Sequence, residues 1–301
     1  MAKQVCELVA KPCINVNIKW ETFSDGFPNL FIENARVLSG KPVVVILSFY
    51  NKSELFEQLS IIYALPRHAI RSLIVVLCYF PTGTMERVDV SGQIATAKTL
   101  SRMLCCTPAT ARGPPQILIY DIHSLQEQFY FADSIIPQLH TAIPLINHKL
   151  EVEYSDEPMA IAFPDEGAFK RFSRLVPSKY PTIICMKVRK GDKRIVSIME
   201  GEPLGKHVII IDDLVQSGGT LLNCKNVLLE NGALKVSCFV THAVFPKDSW
   251  KKFIEEPKET RFSKFFVTDS CPEVTDKLKD KEPFEILPLA PSIAKFIEEQ
   301  L

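Results

Sequence analysis

Apolar and polar positions along this chain fall into short, alternating blocks. Apolar runs rich in β-branched residues occur at 43–47, 73–77 and 117–120, and again at 160–163, 182–185, 208–211, 236–240 and 265–268. Runs this continuous suit strands covered on both faces, as in parallel sheets. Residues 54–65 and 94–104 carry helical spacing between them. The alternation predicts βαβ units, hence an α/β fold with mainly parallel sheets flanked by helices. Residues 147–158 are polar and irregular and read as a linker. The expected division is two similar α/β domains, 1–150 and 151–301. From Phe284 onward a short strand pattern precedes an amphipathic helix after Pro291, whose apolar face is available to the first domain.

One stretch carries the densest chemistry, HVIIIDDLVQSGGTLLNC at 207–224. Asp212 and Asp213 follow the run 208–211 at its carboxyl end, where open α/β sheets place ligands. Gln216, Ser217, Gly218, Gly219 and Thr220 then form a tight loop, and Thr220 opens a helical pattern. Backbone N–H groups and the positive dipole end of a helix suit a phosphate there. The loop is not GxxxxGK[ST] and lacks the lysine a nucleotide loop of that kind needs. Paired carboxylates ahead of a monophosphate cradle suit a sugar phosphate, with the acids accepting hydrogen bonds from ribose hydroxyls. The competing reading is an ordinary strand–turn–helix junction with solvated acids. The order strand, Asp-Asp, Ser-Gly-Gly-Thr, helix favours the phosphate.

Composition narrows the classes. The formal net charge of the 301 residues is zero, which argues against a bulk electrostatic grip on nucleic acid or membrane surfaces. The longest apolar run, 73–80, is far too short to span a bilayer. The N-terminal stretch lacks the apolar core of a signal peptide and the Arg/Ser-rich character of a transit peptide. Nine cysteines are scattered with no C-x-x-C spacing. A cytoplasmic setting with neither zinc nor disulfides is therefore expected.

Four further segments carry candidate chemistry. Residues 20–34, WETFSDGFPNLFIEN, read either as a hairpin with core phenylalanines or as a nucleobase site, Phe23 stacking and Asp25 accepting from an exocyclic amine. The loop after the 73–77 strand offers Thr82, Gly83, Thr84 and Arg87 to phosphates. Asp121 and His123, two apart on an extended segment, would share one side and could both approach a metal–phosphate group. Asp165, in Pro-Asp-Glu-Gly, ends an apolar run in the same way, although turn chemistry accounts for it equally. Lys187, Arg189, Lys190, Lys193 and Arg194 form a basic loop with Gly191 as a hinge. Such clusters are usually solvated, but one that closes on a transferring phosphoryl group neutralises its charge.

Taken in order over about residues 20–300, FSDGFPNLFIEN, YFPTGTMER, DIHSLQEQFYF, AFPDEGAFKRF, KVRKGDKR, HVIIIDDLVQSGGT, VTHAVFP and VTDSCP make the chain similar to ribose-phosphate diphosphokinases (phosphoribosyl-pyrophosphate synthases). Several of these segments are closest to the plant-type, phosphate-independent subclass. The resemblance implies two tandem type I phosphoribosyltransferase-like domains, an ATP-side one and a ribose 5-phosphate-side one. It implies transfer of the diphosphoryl group of MgATP to the C1 hydroxyl of ribose 5-phosphate, in a homo-oligomer. By the same resemblance, Lys187 and Arg189 are catalytic cations. Asp212, Asp213 and Gln216 to Thr220 bind ribose 5-phosphate. Phe23, Asp25, Thr84, Glu86, Arg87 and His123 fall on the ATP side, and His123 and Asp165 lie near Mg²⁺. The chain departs from the phosphate-activated branch at Phe27 and at Thr84, Met85 and Glu86, changes that fit relaxed donor selectivity, and at Gln216, which removes one negative charge beside the incoming phosphate. Two other readings stay open at this stage: a phosphoribosyltransferase that consumes phosphoribosyl pyrophosphate, and a non-catalytic regulatory relative.

Overall fold

The computed structural model describes residues 1–190 and 193–300, and the side chains of these apart from 187–195. It resolves into two compact units, Met1–His140 with Leu289–Leu301, and Thr141–Pro288.

The first unit begins with α1 (Ala2–Leu8) and an antiparallel hairpin of β1 (Ile18–Thr22) and β2 (Pro28–Ile32). Four parallel strands follow, β3 (Pro42–Leu47), β4 (Ser72–Leu77), β5 (Gln116–Tyr120) and β6 (Ile136–His140), in that spatial order. Leu73, Val75, Ile117 and Ile119 are fully or almost fully buried in a core with α2 (Lys52–Ala64) and α3 (Thr96–Cys105), as continuous apolar strands require. Asn51 starts α2 by accepting the Glu54 N–H at 3.0 Å while its amide donates to the Glu54 carboxylate at 3.0 Å. This reciprocal pair satisfies donors at the helix start. β6 carries Pro137 and has no apolar run, so only pairing to β5 identifies it as an edge strand.

The second unit opens with α4 (Ile143–Glu153). This corrects the expected linker at 147–158. The buried residues Ile143, Ile146 and Leu150 have helical spacing, but the stripe starts before the polar window does. A seven-stranded sheet follows, built from β7 (Met159–Phe163), β8 (Thr182–Lys190), β9 (Lys193–Glu200), β10 (His207–Val215), β11 (Lys235–Ala243), β12 (Phe265–Thr268) and β13 (Phe284–Leu287). Its order is β13-β12-β11-β10-β7-β8-β9, parallel except for β9. The helices are α5 (Glu166–Phe172), α6 (Gly219–Glu230), α7 (Lys251–Glu255) and α8 (Pro272–Leu278).

The last helix, α9 (Ala290–Gln300), belongs to the first unit and packs on α1. Ser292 and Tyr120 share a hydrogen bond of 2.8 Å between their hydroxyls, and the Phe296 ring meets His140 edge-on at 4.7 Å. Glu298 accepts the Ala10 N–H at 2.7 Å.

Candidate functional site

In the second unit the chemistry gathers where β10 meets α6. Val208 to Ile211 are fully buried between β7 and β11. The strand does not end with that apolar run. Asp212 is in register with Val240 and Leu214 with His242, so both aspartates stand inside β10, on alternate sides, rather than after it. Backbone pairing to β11 carries the strand past the point where its side chains turn polar.

Asp213 is buried, and its Oδ2 lies 3.6 Å from Nη1 of Arg171 while its Oδ1 accepts the Leu214 N–H at 2.8 Å. Asp212 Oδ1 accepts the Asp213 N–H at 2.9 Å. Burial first, then the charges of Asp213 and Asp165, push the Asp212 carboxyl well above the usual carboxylate range. Asp165 also caps α5, its Oδ1 accepting the Ala168 N–H at 3.0 Å. One short helix therefore supplies Asp165 at its start and Arg171 in its last turn. Arg171 is not among the residues the sequence singles out, because a basic residue on a short helix reads as solvated. That its side chain is only 13% exposed is a product of tertiary packing.

Gln216 and Ser217 are exposed, while Gly218 is buried with φ +75° and immediately precedes α6. Among the described residues no side chain caps α6, and its first turn contains no acid. Its leading N–H groups and dipole end are thus suited to an external anion. Later residues pack against this loop and hold it. Ser249 Oγ donates to the Gln216 carbonyl at 2.9 Å, and the N–H groups of Val244 and Phe245 reach the Val215 carbonyl at 3.1 and 3.3 Å. A methyl group at Gly218 would lie 2.3 Å from the Phe253 ring. Lys225 of α6 is fully buried, donates to Glu256 Oε1 at 2.6 Å and lies 5.3 Å from the Phe262 ring centroid.

The basic segment is a hairpin, not the expected loop. β8 continues to Lys190 and pairs antiparallel with β9, Lys187 opposite Val196 and Arg189 opposite Arg194. Val188, Ile195, Val196 and Ile198 supply the β-branched residues that favour strand. The side chains of Lys187 and Arg189, and the whole of Gly191, lie outside the described residues.

In the first unit, Phe23 and Asp25 sit in the turn between β1 and β2. Asp25 Oδ1 accepts the Phe27 N–H at 3.1 Å, which gives this acid a turn-forming role. Phe23 and Phe27 are 55% and 64% exposed, so the expectation of core phenylalanines fails for both. Thr84 lies in a 3₁₀ turn at Gly83–Met85. A methyl group at Gly83 would be 3.0 Å from His123 Cβ, so this turn packs directly against His123. The Glu86 carbonyl accepts the Tyr130 hydroxyl, and Arg87 Nε donates to Asp89 at 3.0 Å. Asp121 and His123 do not share one side of an extended segment. Asp121 has φ +35° and is buried, while His123 is exposed. An apolar-lined cavity of about 600 Å³ near Leu30, Val37 and Ile61 contains none of the candidate residues.

His123 belongs to the first unit and Asp165 to the second. Among the described residues no three His, Cys, Asp or Glu side chains form a metal cage, and no helix is long and apolar enough to cross a membrane.

Comparison with known proteins gives a consistent outcome. Residues 1–107 match the N-terminal domain of ribose phosphate pyrophosphokinase, and residues 129–268 match the phosphoribosyl transferase domain. The chain is 49% identical over 284 residues to ribose-phosphate pyrophosphokinase 4 of Arabidopsis thaliana, covering 94% of this chain and 84% of that protein. It is 50% identical over 285 residues to ribose-phosphate pyrophosphokinase 3, chloroplastic, of Oryza sativa subsp. japonica, covering 94% and 69%. The phosphoribosylpyrophosphate synthetase of Mycobacterium smegmatis has the same fold, with a TM-score of 0.80 at 23% identity over 99% of this chain and 94% of that one.

Proposed function

Because the chain belongs to the ribose-phosphate pyrophosphokinase family, we propose that it transfers the diphosphoryl group of MgATP to the C1 hydroxyl of ribose 5-phosphate, giving phosphoribosyl pyrophosphate and AMP. The observation that carries this reading is the junction of β10 and α6, where an acidic pair precedes a glycine-bearing loop and an uncapped helix start. The match of residues 1–107 to an N-terminal pyrophosphokinase domain argues against a phosphoribosyltransferase that only consumes the product.

Gln216, Ser217, Gly218, Gly219 and Thr220 hold the 5-phosphate through N–H and hydroxyl donors. Asp213, oriented by Arg171, and Asp212 accept hydrogen bonds from the ribose hydroxyls and so place C1. Lys187 and Arg189 neutralise the charge that develops on the diphosphoryl group, since this chemistry depends on positioning and charge rather than covalent steps. Phe23 stacks on the adenine and Asp25 accepts from its amine. Thr84, Glu86, Arg87 and His123 belong to the ATP side, and Met85 and Phe27 leave it open to other nucleoside triphosphates.

Mg²⁺ suits the donors present. The carboxylates that raise the Asp212 pKa are hard oxygen ligands whose mutual repulsion a cation relieves. When bound, Mg²⁺ supplies charge compensation to the phosphate oxygens. His123 or Asp165 would meet it on the nucleotide, and Asp212 and Asp213 would hold it on the sugar. The exposed Phe23 and Phe27 support a homo-oligomer. The scattered cysteines without C-x-x-C spacing support a cytoplasmic setting, while some plant relatives are named as chloroplastic.

Incubation with Mg²⁺, ribose 5-phosphate and each nucleoside triphosphate, with and without inorganic phosphate, followed by mass spectrometry, tests the reading. Stoichiometric AMP and phosphoribosyl pyrophosphate are expected from ATP. Absence of both overturns it.

A further inference from the structure

The residues packed beside the sugar-phosphate loop include a cation. Lys252 lies on α7 between two anchors. Ser249 donates to the Gln216 carbonyl at 2.9 Å, and the Phe253 ring closes the side of Gly218 from which a Cβ would project. Lys252 Cε lies 3.3 Å from that Cβ position, and its ammonium is one bond further along. The chain is half-buried, its stem running over the Phe253 ring with Nζ 5.5 Å from the centroid. Burial lowers the Lys252 pKa, with Glu256 acting in the opposite sense. Glu256 is itself engaged by the buried Lys225 at 2.6 Å.

The loop itself brings a phosphate no positive charge. A sugar phosphate brings a dianion beside Asp212 and Asp213, and Gln216 to Thr220 offer it only neutral donors. Arg171 lies beside the acids, and it is paired with Asp213 at 3.6 Å. A cation close to the phosphate offsets repulsion of that kind, the more so in a partly buried setting where the effective dielectric is low. A lysine serves as a compact point charge for phosphate.

We infer that Lys252 is a further binding residue of this site, its ammonium pairing with the 5-phosphate held by Gln216 to Thr220. The inference rests on the ribose 5-phosphate reading above. Titration calorimetry of the full chain with ribose 5-phosphate, at low and high KCl, tests it on wild type, Lys252→Met and Lys252→Arg. Methionine keeps an apolar stem over Phe253, and melting temperatures report the fold. Lys252→Met is expected to bind about tenfold more weakly, Lys252→Arg within about threefold of wild type, in line with a charge-assisted contact. Wild-type affinity should also fall more steeply with salt than that of Lys252→Met. Lys252→Met binding like wild type with the same salt dependence overturns the assignment. So does an equal loss in Lys252→Met and Lys252→Arg, which would mark packing alone. A wild type that binds no ribose 5-phosphate overturns the underlying reading, and the inference with it.

Discussion

Replacing Gly218 with alanine adds one methyl group at the most crowded point of the phosphate loop. Two costs follow from the geometry. At φ +75° an L-residue with a Cβ is strained by about 1–2 kcal/mol. The new carbon would also stand 2.3 Å from Cζ and 2.8 Å from Cε2 of Phe253, a ring with no exposed surface and therefore little room to yield. Overpacking of that kind adds about 1–3 kcal/mol. The total, about 2–5 kcal/mol, has two outlets. If the loop keeps its place, the unfolding free energy drops by that amount. If the loop moves off Phe253, its N–H groups leave the phosphate, and at about 1.4 kcal/mol per tenfold the affinity for ribose 5-phosphate falls ~30-fold or more. Scanning calorimetry with and without the sugar phosphate, paired with titration calorimetry, reads both outlets. A Gly218→Ala protein with wild-type melting temperature and wild-type affinity would refute the reasoning, because neither the backbone strain nor the contact with Phe253 would then exist.

Three other substitutions probe separate parts. Lys187→Ala should lower turnover ~100-fold or more while leaving ribose 5-phosphate affinity near wild type, as expected for a group that acts on developing charge. Single-turnover kinetics with unchanged rates would remove Lys187 from the transition state. Asp213→Asn keeps the shape but gives up the charge facing Arg171 at 3.6 Å, and should weaken ribose 5-phosphate about tenfold by calorimetry. Equal affinity would mean that Asp213 serves the fold alone. For pH, His207 is the clearest reporter: burial holds its pKa below the ordinary value, against the pull of Glu157 at 2.8 Å. Below its ordinary pKa of 6.5 the unfolded chain takes up a proton that the folded chain resists, so stability falls as pH drops through and below that value. His207→Gln should flatten this slope in urea titrations between about pH 5 and 7.5, and identical slopes would exclude His207 as the source.

What could be read beforehand follows the range of the signal. The strands at 73–77, 160–163 and 265–268 are continuous or nearly continuous apolar runs, and such runs have few ways to be buried. The acidic pair and Ser-Gly-Gly-Thr are adjacent in sequence, so their meeting at one strand–helix junction is legible too. Asp212 and Asp213 were misplaced relative to their strand because extension to Val215 depends on pairing with β11, not on local hydropathy. The hairpin at Lys187 was hidden by its charges, and α4 by an apolar stripe that straddles the boundary of a polar window. Arg171, Ser249, Lys252 and Phe253 could not be found from motif at all. They reach the site from α5 and from the stretch after β11, and only folding brings them near Asp213 and Gly218.

The crossing of α9 back to the first unit bears on the order in which a ribosome can deliver a finished protein. Residues 141–288 form a continuous segment with its own sheet, whereas the partners of Tyr120, His140 and Ala10 lie at Ser292, Phe296 and Glu298. The segment translated second thus has its own sheet complete before the segment translated first gains α9. During synthesis the first unit's surface around Tyr120 and His140 stays uncovered until α9 emerges, after the whole of the second unit has been translated.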